Sequence, residues 1–191
     1  AVFDQIRQML ALQRANAGVP PRSSDPKVRV VGDSELASLL NSLPLAGIRH
    51  DQGDLSNGEP VTIDLRQLMQ QLPAKADAGD GRKPALNEVD EDLINLVSML
   101  FEFILDDYNL SAPVQVLISR LQIPILKVVI RDRSFFSQAT HPARRLLNSL
   151  ARAGIGWSSS DEKTKDKLYG QIHNIVQRIL NEFDGDIALF E

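Results

Sequence analysis

From residue 87 onward, apolar positions recur every three or four residues with few interruptions; before it, that period surfaces only in short runs. Asn87 followed by Asp90 has the form of a capping pair, and the apolar density from Leu93 to Leu105 predicts a helix over about 88–107. Ser111 ahead of Ala112-Pro113 opens a second helix running to about 131. A kink or break is expected just before Pro124, because proline lacks an amide donor and crowds the preceding turn. Thr140, followed by His141-Pro142, starts a third helix, which Gly154 is placed to end in the left-handed conformation. Ser159 and Glu162 form a capping box before a fourth, in which Leu168, Ile172, Ile175, Val176, Ile179 and Phe183 keep helical spacing. The expected class is all-α: antiparallel helical hairpins, as a bundle or a short repeat-like stack, with long loops in the N-terminal part.

Residues 1–86 read as a loop-rich helical N-terminal region, and 87–191 as a compact helical domain. Three short apolar faces punctuate the first part: Val2, Phe3, Ile6, Met9 and Leu10; Leu36, Leu39, Leu40 and Leu43; Val61, Leu65, Leu68, Met69 and Leu72. Between them lie "NAGVPPRSSDPK", "PLAGIRHDQGDLSNGEP" and "PAKADAGDGRKPA", whose Pro, Gly, Asp and Ser clusters cannot sustain a helix. "VRVV" at 28–31 has strand composition, but no second strand is evident, so it reads as extended loop. The chain opens on Ala1 and enters helical pattern at once, which reads as a piece of a longer protein.

The polar positions predict which faces meet water. In the 88–107 helix Glu91, Asn95, Ser98, Glu102 and Asp106 form one narrow stripe; a helix otherwise so apolar is expected at the centre, covered on most sides. The second helix carries Arg120, Pro124, Lys127 and Arg131 at the same spacing, and the third His141, Arg145, Asn148 and Arg152. A hairpin turning near Asn109 would set Glu91 beside Lys127 and Glu88 beside Arg131.

Charge sharpens this segregation. The net charge is −4, too small to imply polyanion binding by the whole chain. Residues 85–108 nevertheless hold Glu88, Asp90, Glu91, Asp92, Glu102, Asp106 and Asp107 with no base. Residues 109–157 hold Arg120, Lys127, Arg131, Arg133, Arg144, Arg145 and Arg152 against Asp132 alone. A basic module lies inside acidic flanks.

The chemical inventory excludes more than it offers. There is no cysteine, hence no disulfide, thiolate metal site or thiol nucleophile. His50, His141 and His173 lack ligand spacing, so no metal or other cofactor is expected. "GDGRK" at 79–83 lacks the spacing of a phosphate loop, and "EFDGD" at 182–186 that of a calcium loop. No Gly-x-Ser-x-Gly elbow or acid/base pair is present, so the expectation is not an enzyme. No window has the roughly 18 uninterrupted apolar residues of a membrane span.

The stretch "DEDLINLVSMLFEFILDDYNLSAPVQVLISRLQIPILKVVIRDRSFFSQATHPARRLLNSLARAGIGW", with "IVQRILNEFDGDIALFE", resembles a bacterial family catalogued as domain of unknown function 1631. The resemblance is strong over about 87–191 and most specific from Ile123 to Trp157. It implies an internal segment of a larger, mostly helical, cytosolic protein, and it carries no catalytic residues over.

"RDRSFFSQATHPARRLL" at 131–147 is the stretch whose chemistry stands out. Asp132 is expected to cap or pair locally, and Phe135-Phe136 to fold onto the core as a corner. Arg131, Arg133, Arg144, Arg145 and Arg152 then form the candidate binding surface, near a helix N-terminus that favours anions. The first function class is a helical interaction module of a larger cytoplasmic protein, docking a protein partner there. The alternative is a nucleotide, nucleic acid or other anion on the same arginines. The competing structural account lays the arginine stems over apolar surface with their heads in water.

Overall fold

The helix spanning Gln122–Arg131 is surrounded: eight of its ten residues are buried, and only Lys127 and Arg131 are not. The computed structural model around it describes residues 8–9, 11–12, 15–16, 26–42, 81–156, 161–183 and 186–191. In chain order these hold strand β1 (Val28–Val30), helix α1 (Asp33–Ser42), strand β2 (Lys83–Ala85) and helix α2 (Glu88–Leu105). Helices α3 (Ala112–Ser119), α4 (Gln122–Arg131), α5 (Ser134–Ser137), α6 (Pro142–Ile155) and α7 (Glu162–Glu182) follow, then a 3₁₀ turn at Ile187–Phe190. The fold is all-α. α1 and α2 flank α4, α3 packs against α6 and α7, and the 3₁₀ turn closes on α6 and α7.

The caps explain most boundaries. Asn87 precedes α2 and its side chain accepts from the Asp90 amide at 2.8 Å, as the capping pair predicts. The α2–α3 turn is tied by Asn109 N–H to Asp107 Oδ1 at 2.9 Å and by Gln115 Nε2 to the Leu105 carbonyl at 3.1 Å. The expected interruption ahead of Pro124 is present. Arg120 and Leu121 donate to Leu117 and Ile118, three residues back, and the axis bends by 43°. Pro124 then sits in the first turn of α4, where its missing donor costs nothing. His141 caps α6, with Pro142 in its first turn.

Several expectations are corrected. "VRVV" is not free loop: Val28–Val30 pairs in parallel with Lys83–Ala85, with Val31 N–H donating to Ala85 O at 2.8 Å. The partner was hidden because "KPA" is three residues long and contains Pro84, which a strand tolerates at an edge. Gly154 is not a left-handed stop; among the described residues the only glycine with positive φ is Gly81. It lies inside α6, buried, because a Cβ there would meet the Leu110 side chain and fall 2.7 Å from Val114 Cγ1. The cap of α7 is Asp161, which accepts from Thr164 N–H at 2.7 Å, rather than the Ser159 box.

The wet faces also differ. α4, not α2, is the central helix, so its Pro124 is buried; Arg120, at the end of α3, is buried too, and only Arg131 of that stripe is exposed. α2 turns Met99 and Phe103 to solvent beside Glu102, while Asn95 and Ser98 are half-buried. Neither Glu91–Lys127 nor Glu88–Arg131 is among the ion pairs of the described residues, since the bend between α3 and α4 breaks the straight register assumed for them. Burial alone holds the Lys127 ammonium below its ordinary range.

One hydrophobic cluster runs through the molecule and includes Val31, Leu36 and Leu40 of the N-terminal region beside Phe101, Leu117, Leu126, Phe135, Leu147 and Val176. A boundary drawn at residue 86 from composition therefore does not divide the core. The C-terminal turn adds Phe190 to this core, edge-on to Phe183 at 5.3 Å. The apolar faces at 2–10 and 61–72, His50, Trp157 and the stretches 44–60 and 73–80 lie outside the described residues, the isolated positions near the N-terminus aside. Among the described residues, no single helix is long and apolar enough to cross a membrane.

Candidate functional site

The corner between α4 and α6 is a set of short-range locks. Asp132 ends α4, its backbone extended and its N–H still donating to Val128 O at 2.7 Å. One oxygen, Oδ1, accepts the Ser134 amide at 2.9 Å; the other lies 3.4 Å from His141 Nε2. The bonds from Ser134 come first in holding the Asp132 carboxyl below the usual carboxylate range, with His141 adding to them. His141 Nδ1 accepts from Ala143 N–H at 3.2 Å, which places the ring proton on Nε2, facing Asp132. That 3.4 Å approach is an electrostatic contact, since Nε2 lacks a partner of hydrogen-bond geometry.

Phe135 locks the corner from inside. It is 1% exposed, edge-on to Phe136 at 5.0 Å and to the His141 ring at 5.5 Å. The Phe-Phe pair is thus a corner packed on the core, as expected, with Phe136 half-buried.

The five candidate arginines divide into two sets. Arg144 donates from Nη1 to Phe136 O at 3.3 Å, and Arg133 Nη2 reaches Asp90 Oδ1 at 3.8 Å. These two hold the corner to α6 and α2. Arg131, Arg145 and Arg152 are exposed and have no ion-pair partner among the described residues. Arg131 and Arg152 stand in the last turns of α4 and α6, where their charge suits the helix dipole; Arg145 stands near the start of α6, whose first turn has no acidic residue.

Asp90, read from sequence only as part of a cap, is the most strained charge in this region. It is fully buried, and neither carboxylate oxygen has a hydrogen-bond partner. Burial first, then the nearby Asp33, push its carboxyl up to about 6, against the pull of Arg133. Nothing in its spacing announced this, because an acidic residue in a first turn is ordinarily solvated.

Comparison with known proteins adds one finding. Residues 30–186 match the second domain of a protein family of unknown function, DUF1631. The chain belongs to this family. No curated protein and no solved structure matches it. The DUF1631 match starts at Val30, inside β1, and so takes in α1, in keeping with the shared core. Among the described residues of this DUF1631 domain no group of three or more His, Asp or Glu is placed to hold a metal.

Proposed function

We propose that this DUF1631 domain is a non-catalytic interaction module of a larger cytoplasmic bacterial protein, docking an acidic protein segment on Arg131, Arg145 and Arg152. The observation that carries the reading is the division of the arginines: two are used internally, while three remain exposed on the rigid ends and outer face of α4 and α6. Arginine on a helix is suited to forked contacts with carboxylates. The cytoplasmic and bacterial setting rests on the family resemblance. The alternative, a nucleotide or nucleic acid on the same arginines, draws on Arg145 near an α6 N-terminus that carries no acid.

The test is capture by the full-length protein from its native extract, wild type against Arg131→Glu/Arg145→Glu/Arg152→Glu, with and without nuclease. A protein retained after nuclease by the wild type and lost by the variant supports protein docking. Capture that disappears with nuclease supports the nucleic-acid reading. Equal capture by both forms, with helical content unchanged, overturns the arginine surface.

A further inference from the structure

α2 is the most apolar-looking helix of the chain that still leaves large side chains in water. Glu102, Phe103 and Asp106 lie three, four and seven residues after Met99 on its exposed side. Phe103 is 80% exposed and Met99 62%; Tyr108, just past the helix end, is 93% exposed. Single exposed apolar residues are ordinary, but Met99 and Phe103 on one helix face, interleaved with carboxylates and followed by Tyr108 just past the helix end, make a stripe. Its spacing is the one that a helix offers to another helix. Residues 85–108 contain no base, so the complementary surface has to be cationic as well as partly apolar.

The same chain carries such a surface. On α6, Arg145 is exposed and so are Asn148, Arg152 and Ile155, three, seven and ten residues after it. Arg145 to Arg152 spans seven residues, about 10 Å of helix at 1.5 Å per residue, and Glu102 to Asp106 four, about 6 Å, a difference that the long arginine stems have to bridge. Neither pair of charges, Glu102 and Asp106 or Arg145 and Arg152, has an ion-pair partner among the described residues. α2 packs on α3 and α4, and α6 on α3 and the 3₁₀ turn, so both stripes face outward from a shared core.

We propose that the acidic-aromatic stripe of α2 docks the arginine face of α6 in a second copy of the chain, head to tail. This rests on the reading of α6 as a docking face and names its partner. Unlike surfaces on one chain form a heterologous contact, which leaves one stripe free at each end and adds copies stepwise instead of stopping at a dimer. The ion pairs set register and salt dependence, while Phe103, Met99 and Ile155 supply the apolar contact.

Sedimentation velocity of the 191-residue chain over a hundredfold concentration range at low salt tests this. The expected result is a mass that keeps rising with concentration, and association weakened at least tenfold by raising salt about tenfold. Glu102→Lys/Asp106→Lys and Arg145→Glu/Arg152→Glu should each be monomeric alone, and their equimolar mixture should associate, because each supplies the stripe the other lacks. Phe103→Ser should weaken association at least tenfold at unchanged helical content. A wild type that stays monomeric throughout, or association indifferent to both charge reversals, overturns the proposal. If the wild type is monomeric yet Arg145→Glu/Arg152→Glu alone still loses the extract partner, docking on α6 stands and only self-docking falls.

Discussion

Replacing Asp90 with asparagine should stabilise the domain, and by an amount that depends on pH. The carboxyl is raised from 3.8 in the unfolded chain to about 6 in the fold, a gap worth about 3 kcal/mol at 1.36 kcal/mol per unit. The native state holds the proton more tightly than the unfolded chain. Stability is therefore fully present below about pH 4 and is lost as pH rises through about 6. Asparagine cannot ionise, so variant and wild type should agree near pH 4 and separate to about 3 kcal/mol by pH 8. For a domain of this size that is a rise in melting temperature of about 6–12 °C. The assay is urea unfolding followed by circular dichroism at constant ionic strength from pH 4 to 8, read as the difference between variant and wild type. Taking the difference cancels Asp132, whose lowered carboxyl contributes with the opposite sign. Neighbouring charges fix the midpoint of the curve: Arg133→Gln should move it to higher pH and Asp33→Asn to lower pH. A stability difference that is flat across this range would refute the assignment of a buried carboxylate without hydrogen-bond donors.

Other substitutions probe the corner and the core. Gly154→Ala, which would gain up to about 1 kcal/mol in an open helix, should instead cost about 1–3 kcal/mol by overpacking Leu110 and Val114; Val114→Ala in the same chain should recover part of that loss in a double-mutant cycle. Phe135→Ala should cost about 3–5 kcal/mol and dissolve the packing of Phe136 and His141, measured by denaturant unfolding. Asn87→Ala should cost about 1 kcal/mol by leaving the Asp90 amide without its acceptor, with the loss confined to the α2 N-terminus in amide exchange.

Helices were legible where burial is one-sided and caps are local. Asn87, His141-Pro142 and the run from Leu168 to Phe183 carried their boundaries in a few adjacent residues, and the elements stand close to where that pattern placed them. What the pattern hid was relational. β2 owes its existence to β1, far back in the chain, and "KPA" has no period of its own. Gly154 is read locally as a terminator, while the helix it shares space with decides its role. α4 and α2 exchanged expected places because periodicity reports how apolar a helix is, not how many neighbours cover it. At the site, the corner and the exposure of Arg131, Arg145 and Arg152 were legible. The approach of Arg133 to Asp90, and the burial of that carboxylate without a hydrogen bond, depend on packing between elements distant in sequence.

The enclosure of α4 has a consequence for the chain before it is folded. On release from the ribosome, residues 112–131 form a mostly apolar run broken by Gln115, Ser119, Arg120, Gln122, Lys127 and Arg131, and only as a bent pair do α3 and α4 reach the length and composition of a membrane span. Such a run is what chaperones and insertion machinery bind. Its concealment depends on α1 and α2 arriving on α4 and on α6 and α7 arriving on α3. Amides of α4 should then exchange with solvent only when the whole domain opens, and any lesion that loosens the outer helices should be met first as a quality-control fault, with the protein retained or degraded before a lost interaction is felt.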